Sequence, residues 1–492
     1  MEVRTIHYPL WHTSVQISAF IPRQGVAEYM AMVIPEPGVG DFAVQLEHIR
    51  STIEYLLTEE WQGDVLPLLK RYFISDAANQ ELLLKAMRPE KCLEAISVVQ
   101  QPPLNGAKVC LWMWLRSGAG LPVCRHNGYS HYFTVGMSEN EGDSEQQTHT
   151  LLVRYEKMLD SWGLKLADQC IRTWFFVRDV DVNYAGVVKG RKEEFVRLGL
   201  TEKTHYLAST GIQGQIADSR SLVLLDAYAV DGLQAEQIRF LHAPEYLNPT
   251  YEYGVTFERG TAVEYGDRKH IFISGTASID NRGEVVYPGN IAGQTRRMLL
   301  NIEALLKEAG SSLADLAQMI VYLRDIADYP IVRDLMEQQF PDVPKVIVLA
   351  PVCRPGWLIE TECIAIKAGG NPEFRKNHPL HRRAAHHRRR GQRRGRGGRG
   401  EHPKARARAR GDPRHRRDDA RGVPKIHRKG RRARAALPER AGRRAGRRKS
   451  AADLTRPAAK VRGVSRPFHR GRGPAHGGDT LKAVSARPFF AG

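Results

Sequence analysis

One pattern occurs twice in this chain and limits what it can fold into. Residues 159–179, LDSWGLKLADQCIRTWFFVRD, align with residues 306–325, LKEAGSSLADLAQMIVYLRD, across one gap. Gly163 faces Gly310, Leu166-Ala167-Asp168 faces Leu313-Ala314-Asp315, and Arg178-Asp179 faces Arg324-Asp325. A repeat spaced about 145 residues apart implies two copies of one domain rather than a solenoid. In each copy a helical stripe precedes the glycine and an apolar strand follows it. The first helix is read over 146–162, with Leu151, Leu152, Tyr155, Met158 and Leu159 on one side. The second is read over 294–308. Strands are expected at 170–180 and 319–323, and further helices at 184–198 and 329–340. A hairpin at 256–265 and 270–274 opens the second copy.

The stretch from Pro344 to Ile366 closes it and reads as two strands joined by a tight bend at Arg354-Pro355-Gly356. Glu360 and Glu362 lie two residues apart, so they share one face of the last strand. Two carboxylates inside a β domain are costly unless exposed, paired or working. Ahead of the repeat, residues 1–104 read as an N-terminal elaboration, with helical spacing at 45–57 and 65–72. Val109 to Leu115 is a strand candidate. Cys124, His126 and His131 sit close together, but no fourth ligand stands out, so a polar loop is the better reading and no metal or other cofactor is expected.

Composition splits the chain. Its net charge of +20 suggests a nucleic-acid binder, yet the charge is local. From Arg375 onward 39 Lys and Arg face 7 Asp and Glu, which leaves residues 1–374 with 35 basic and 47 acidic side chains. The segment 375–492 has too few apolar residues to offset ordering, so it is expected to be disordered. It reads either as a basic arm that touches nucleic acid nonspecifically or as translation in a wrong frame. The abrupt break after an intact domain end favours the second reading. Six scattered cysteines without a CxxC pair fit reduced, cytoplasmic thiols. No stretch approaches a membrane span.

The second copy resembles the RidA/YjgF family, also known as L-PSP endoribonucleases. FISGTASID (272–280), GEVVYPGNIAGQT (283–295) and IETECIAI (359–366) carry that likeness. A nearer resemblance is to the two-domain chorismatase branch. It rests on Arg172-Thr173-Trp174, on Gly190-Arg191 with Phe195, and on ASTGI (208–212). SGTAS (274–278) and Val352-Cys353-Arg354 followed by Leu358 and Glu360 complete it. The fold implied is α+β: two RidA/YjgF-like, chorismate-mutase-like βαβ domains in tandem at 105–230 and 250–367, plus the disordered tail.

The activity implied is acid-assisted cleavage of a carboxylated metabolite such as chorismate, with release of pyruvate. Glu360 is then the acid, its pKa raised by burial and by Glu362. Arg354, Arg191 and Arg172 are the candidate carboxylate clamps. For Arg172, pairing with Asp168 or Asp179 is an equal alternative. Ala277, Thr210 and Gly211 join the site through the matched motifs. The alternatives are an enamine or imine deaminase, or a metabolite-binding protein without turnover. RidA-type imine hydrolysis uses an arginine just after the proline that opens the penultimate strand, and here Pro344 is followed by Lys345. Chorismatases follow SGTAS with a glycine-histidine segment, and here Asp280-Asn281-Arg282-Gly283 stands instead. The family's habit also suggests a homotrimer.

Since nothing after Phe374 alternates or repeats strongly enough to add an element, a chain ending at Phe374 should keep its melting temperature and turnover. Loss of either on truncation would show that the tail is integral.

Overall fold

The computed structural model describes residues 1–23, 25–87, 94–118, 125–126 and 128–369. The readings placed on Cys124, on the His126 side chain and on residues 375–492 lie outside that set. Three sheets carry the described chain. The first holds β1 (Glu2–Tyr8), β2 (Thr13–Phe20), β3 (Glu28–Pro35), β4 (Val65–Ile74), β5 (Ala95–Gln100) and β6 (Val109–Ser117). Helices α1 (Phe42–Tyr55) and α2 (Ala77–Ala86) accompany it. The second holds β7 (Arg125–His126), β8 (Tyr129–Ser138), β9 (Cys170–Val177), β10 (Ala208–Gln213) and β11 (Val223–Asp231). Its helices are α3 (Ser144–Ser161), the short α4 (Leu166–Gln169) and α5 (Val180–Arg197). The third holds β12 (Ile238–Leu241), β13 (Gly260–Glu264), β14 (Arg268–Ala277), β15 (Leu316–Leu323), β16 (Lys345–Leu349) and β17 (Ile359–Ala368), with α6 (Ile291–Glu308) and α7 (Tyr329–Gln339).

The strand orders are β1-β2-β3-β6-β4-β5, β7-β8-β11-β9-β10 and β12-β13-β14-β17-β15-β16. They are one order three times over, the second lacking the outermost strand. Both repeated segments fold as expected: α3 and β9 in one, α6 and β15 in the other. The α+β reading therefore holds, but the N-terminal stretch is more than an elaboration, because its sheet has the same order. Val109–Ser117, expected to open the middle copy, instead completes the first sheet between β3 and β4. Residues 65–72 form strand β4 and not a helix. It is a mostly buried strand in the sheet interior, and a short apolar run does not separate that from a buried helix by periodicity. The closing strands are not neighbours either. β15 lies between them, parallel to β16 and antiparallel to β17.

Local signals account for the helices. Asp143 and Gln146 make a reciprocal capping box that starts α3. Gly163 and Gly310 take positive φ just beyond α3 and α6, where a side chain would be strained. Period-two alternation then sorts the strands. Ala31, Val33, Leu111 and Met113 pack under Leu46, Ile49 and Ile53 of α1. Their alternates Met30, Met32, Trp112 and Trp114 turn to a shared core with Trp174, Phe176, Tyr228 and Phe272. The helices thus cover one face of each sheet, and the other faces meet.

The sheets follow one another in a ring, with β5 against β8, β10 against β14, and β15 against β2 and β3. Segments leaving the edge strands knit the ring through backbone bonds. Gln100 N donates to Gln215 O (2.8 Å), Gln213 N to Pro351 O (3.2 Å), and Leu349 N to Pro102 O (2.8 Å). No helix among the described residues is long and apolar enough to cross a membrane. Trp114 is fully buried where the three sheets meet, and its indole donates to Glu28 (2.5 Å). Trp114→Ala should therefore cost about 3–5 kcal/mol, read as a lower denaturation midpoint. An unchanged midpoint would contradict this packing.

Candidate active site

Glu360 sits on β17 opposite Ala277 of β14 and Tyr322 of β15. Its residue is only 3% exposed. The β14–β17 register shifts between Ile273 and Thr276, and this irregularity holds Ser274-Gly275 beside the acid. A Cβ on Gly275 would lie 1.9 Å from Glu360 Oε1, so a side chain there would displace the Glu360 carboxyl. The same logic explains Gly211 on β10, where a Cβ would fall 2.7 Å from the Tyr184 ring. Gly190 lets α5 press against α3, since a Cβ would meet Glu145 O at 2.6 Å, and this packing fixes the next residue, Arg191.

A narrow cleft lies where the second and third sheets meet. Glu360, Arg354, Arg191, Ala277 and Gly211 all line it. Arg191 is 1% exposed. Its Nε donates to Thr256 Oγ1 (3.1 Å) and its Nη1 to Ser209 Oγ (3.4 Å). Among the described residues its buried Nη2 has no hydrogen-bond partner, nor has the buried Tyr253 hydroxyl on the cleft wall. Arg354 stands over the rings of Tyr253 (5.0 Å) and Trp357 (5.5 Å). Arg259, which sequence reasoning missed, also lines the cleft and is held by three hydrogen bonds to Asn248. Tyr184, Tyr253, Cys353 and Trp357 were missed too. Aromatic and thiol side chains in loops and helices carry no periodic signal that separates cleft from core.

Arg172 and Thr210 do not line the cleft; they lie behind it. Arg172 pairs with neither Asp168 nor Asp179. Its Nη2 donates to Glu362 Oε2 (2.9 Å) and to Thr210 Oγ1 (2.5 Å). Trp174 Nε1 donates to Glu362 Oε1 (2.7 Å). Glu362 is thus a carboxylate answered by two charge-assisted bonds from the neighbouring sheet. Glu360 has no such answer. Burial first, and then the charge of Glu362, push its carboxyl up to about 8. The carboxyl is protonated at neutral pH and stands in a cleft with three guanidinium groups. Burial likewise pushes the Cys353 thiol up to about 12.

Register shows that this chemistry occurs at one interface of three. Ile359, Val223 and Val109 each stand opposite the last residue of the neighbouring strand β15, β9 or β4, namely Leu323, Val177 and Ile74. The next residue in each case is Glu360, Leu224 or Cys110, so only the third sheet carries the acid. The position of Glu362 is repeated as Asp226, which Arg71 of the first sheet answers at 2.9 Å. The structural ion pair recurs and the acid does not. Lys345, at the place of the RidA arginine, is held elsewhere. Its Nζ donates to Phe340 O (2.7 Å) and Pro341 O (3.2 Å), and burial lowers it to about 8. Among the described residues no three His, Cys, Asp or Glu side chains cluster to hold a metal. His131 instead pairs through Nδ1 with the Tyr228 hydroxyl at 2.7 Å.

Comparison with known proteins agrees with this arrangement. The family profile described as Endoribonuclease L-PSP matches residues 261–367. The 3-hydroxybenzoate synthase of Streptomyces hygroscopicus is 27% identical over 265 residues, covering 49% of this chain and 75% of its own. The 3-aminoacrylate deaminase RutC of Acinetobacter baylyi is 34% identical over 97 residues, covering 19% of this chain and 77% of its own. A solved chorismatase structure shares the fold with a TM-score of 0.51 at 18% identity, over 70% of this chain and 99% of that one. The chain belongs to the RidA/YjgF superfamily.

Proposed function

We propose that the cleft cleaves the enol ether of a small cyclic dicarboxylate, chorismate being the first to test, with Glu360 as the proton donor. The observation that carries this reading is a protonated, buried carboxyl in a cleft lined by Arg191, Arg259 and Arg354. Three guanidinium groups facing a neutral acid leave the cleft short of negative charge, which a dianionic ligand supplies. The orphaned Nη2 of Arg191 and hydroxyl of Tyr253 are donors awaiting acceptors, because buried donors without partners are costly. The similarity to a 3-hydroxybenzoate synthase and to a chorismatase supports the same substrate class.

The chemistry follows from the acid. Glu360 passes its proton to the methylene carbon of the enolpyruvyl group, and the positive charge settles on the ether carbon and oxygen. Water adds to that carbon and gives up a proton, which restores Glu360. The bond between that carbon and the ether oxygen then breaks as the new hydroxyl loses its proton and the ring oxygen gains one, releasing pyruvate and the ring alcohol. Burial keeps the carboxyl protonated near neutral pH, as an acid of this kind requires. The deaminase reading draws on the likeness to RutC. Lys345 weakens it, because its ammonium is spent on backbone carbonyls.

Incubation with chorismate should release pyruvate. Glu360→Gln should slow that release by about 10²–10⁴-fold, and pyruvate unaffected by the change would reject Glu360 as the acid. Because the folded-state pKa is raised, the active protonated form is full at low pH and is lost as pH rises through about 8. The wild-type rate should fall along that limb. Ammonia released from an enamine, with no pyruvate from chorismate, would favour the deaminase. Binding without either product would favour a regulatory protein. Arg191→Met should raise KM by about 10–100-fold, the loss of one charged hydrogen-bonded contact. A KM equal to wild type would place the carboxylate anchor elsewhere.

A further inference from the structure

Arg172 and Thr210 match the family motifs yet lie outside the cleft, and Ser274 lies behind it with them. All three are buried, at 2%, 1% and 0% exposure. Their bonds stitch β10 of the second sheet to β14 of the third. Gly275 N donates to Thr210 Oγ1 (3.0 Å), and Ser209 N donates to Ser274 Oγ (2.9 Å). Ser274 Oγ in turn donates to Glu258 O (2.6 Å). Arg172 spans the seam, with Nη2 on Thr210 Oγ1 and Glu362 Oε2 and Nη1 on Ser274 Oγ at 3.4 Å. Gly275, fixed by this stitching, is the residue pressed on Glu360 Oε1. A Cβ there would also meet the Thr210 methyl at 3.2 Å.

We propose that Thr210 and Ser274 form a clasp that seals the wall behind Glu360 against water, and that Arg172 is a positioning residue of this clasp and not a substrate ligand. The inference rests on the reading of Glu360 as the acid. The physical reason is that Glu360 lies at a seam between two sheets and not inside one. A seam admits water unless its polar groups bond to each other. Both sides here end in small hydroxyl residues, which close it without filling the cleft. Burial is the largest influence on the Glu360 carboxyl. The charged or titratable groups around it are Glu362 on its own strand, Arg172 on β9, Arg191 and Tyr184 on α5, Arg259, Arg354, Tyr322 on β15, Cys353 and Tyr253. Of these Arg172 alone bonds to the Thr210 and Ser274 hydroxyls, and its pair with Glu362 Oε2 (2.9 Å) holds its charge in place when either hydroxyl is removed. A shift caused by such a change would therefore report water at the seam.

The test is a carboxyl titration of the full chain by infrared spectroscopy, with Glu360→Gln used to assign the signal. Thr210→Val and Ser274→Ala should each lower the midpoint of Glu360 by about one unit or more, toward the ordinary carboxylate range. Thr210→Ser, which keeps the acceptor, should titrate as wild type does. Should Thr210→Val fail to fold, Ser274→Ala carries the test alone. An unchanged midpoint in every folded variant would overturn the clasp while leaving the acid reading intact. Absence from wild type of any raised titration that Glu360→Gln removes would overturn both.

Discussion

The candidate site depends on a buried ion pair that crosses between sheets. Arg172 belongs to the second sheet and Glu362 to the third, and neither side chain reaches solvent. A buried charge left alone is strongly destabilising, so each holds the other in place. Through that pair the seam between β10 and β14 is fixed, and the seam decides what surrounds Glu360. One member of the carboxylate pair on β17 is answered by charge and the other is left without an answer. That asymmetry separates two similar residues into one held by the ion pair and one that faces the cleft.

The ring of three sheets explains why such a seam exists at all. Each sheet buries one face under its helices and must cover the other. Chain segments that leave β5, β10 and β16 bond to one another and close the ring. This chain supplies three sheet-and-helix units itself. Three units of one sequence would make equal interfaces. Here Asp226 and Glu362 repeat the structural role, while Glu360 is replaced by Leu224 and Cys110 in the other sheets. The ion pair serves folding at two interfaces, and the acid is confined to one.

The arginine expected after Pro344 is a lysine turned to backbone carbonyls, and the cationic groups of the cleft come instead from α5, from the segment before β13 and from the loop before β17. The guanidinium groups that line the cleft are thus drawn from two units.

The sequence by itself determined the α+β class, the repeated helix–glycine–strand unit and the place of two carboxylates on one strand face. These follow from local rules: glycine where φ is positive, stripes at helical spacing, and alternation at period two. It also marked Glu360, Arg191, Arg354, Ala277 and Gly211 as neighbours through their motifs. It did not reveal that the first 117 residues repeat the same strand order, because an apolar run such as 65–72 fits a helix or a buried strand until its partners are known. Nor did it separate Arg172 and Thr210, which act behind the wall, from Arg191, which faces the cleft. Only tertiary structure decided that, because the face on which a buried arginine finds its carboxylate depends on how two sheets meet. Arg259, Tyr253 and Trp357 reached the cleft by the same route, from segments whose local pattern points nowhere until the seam is closed.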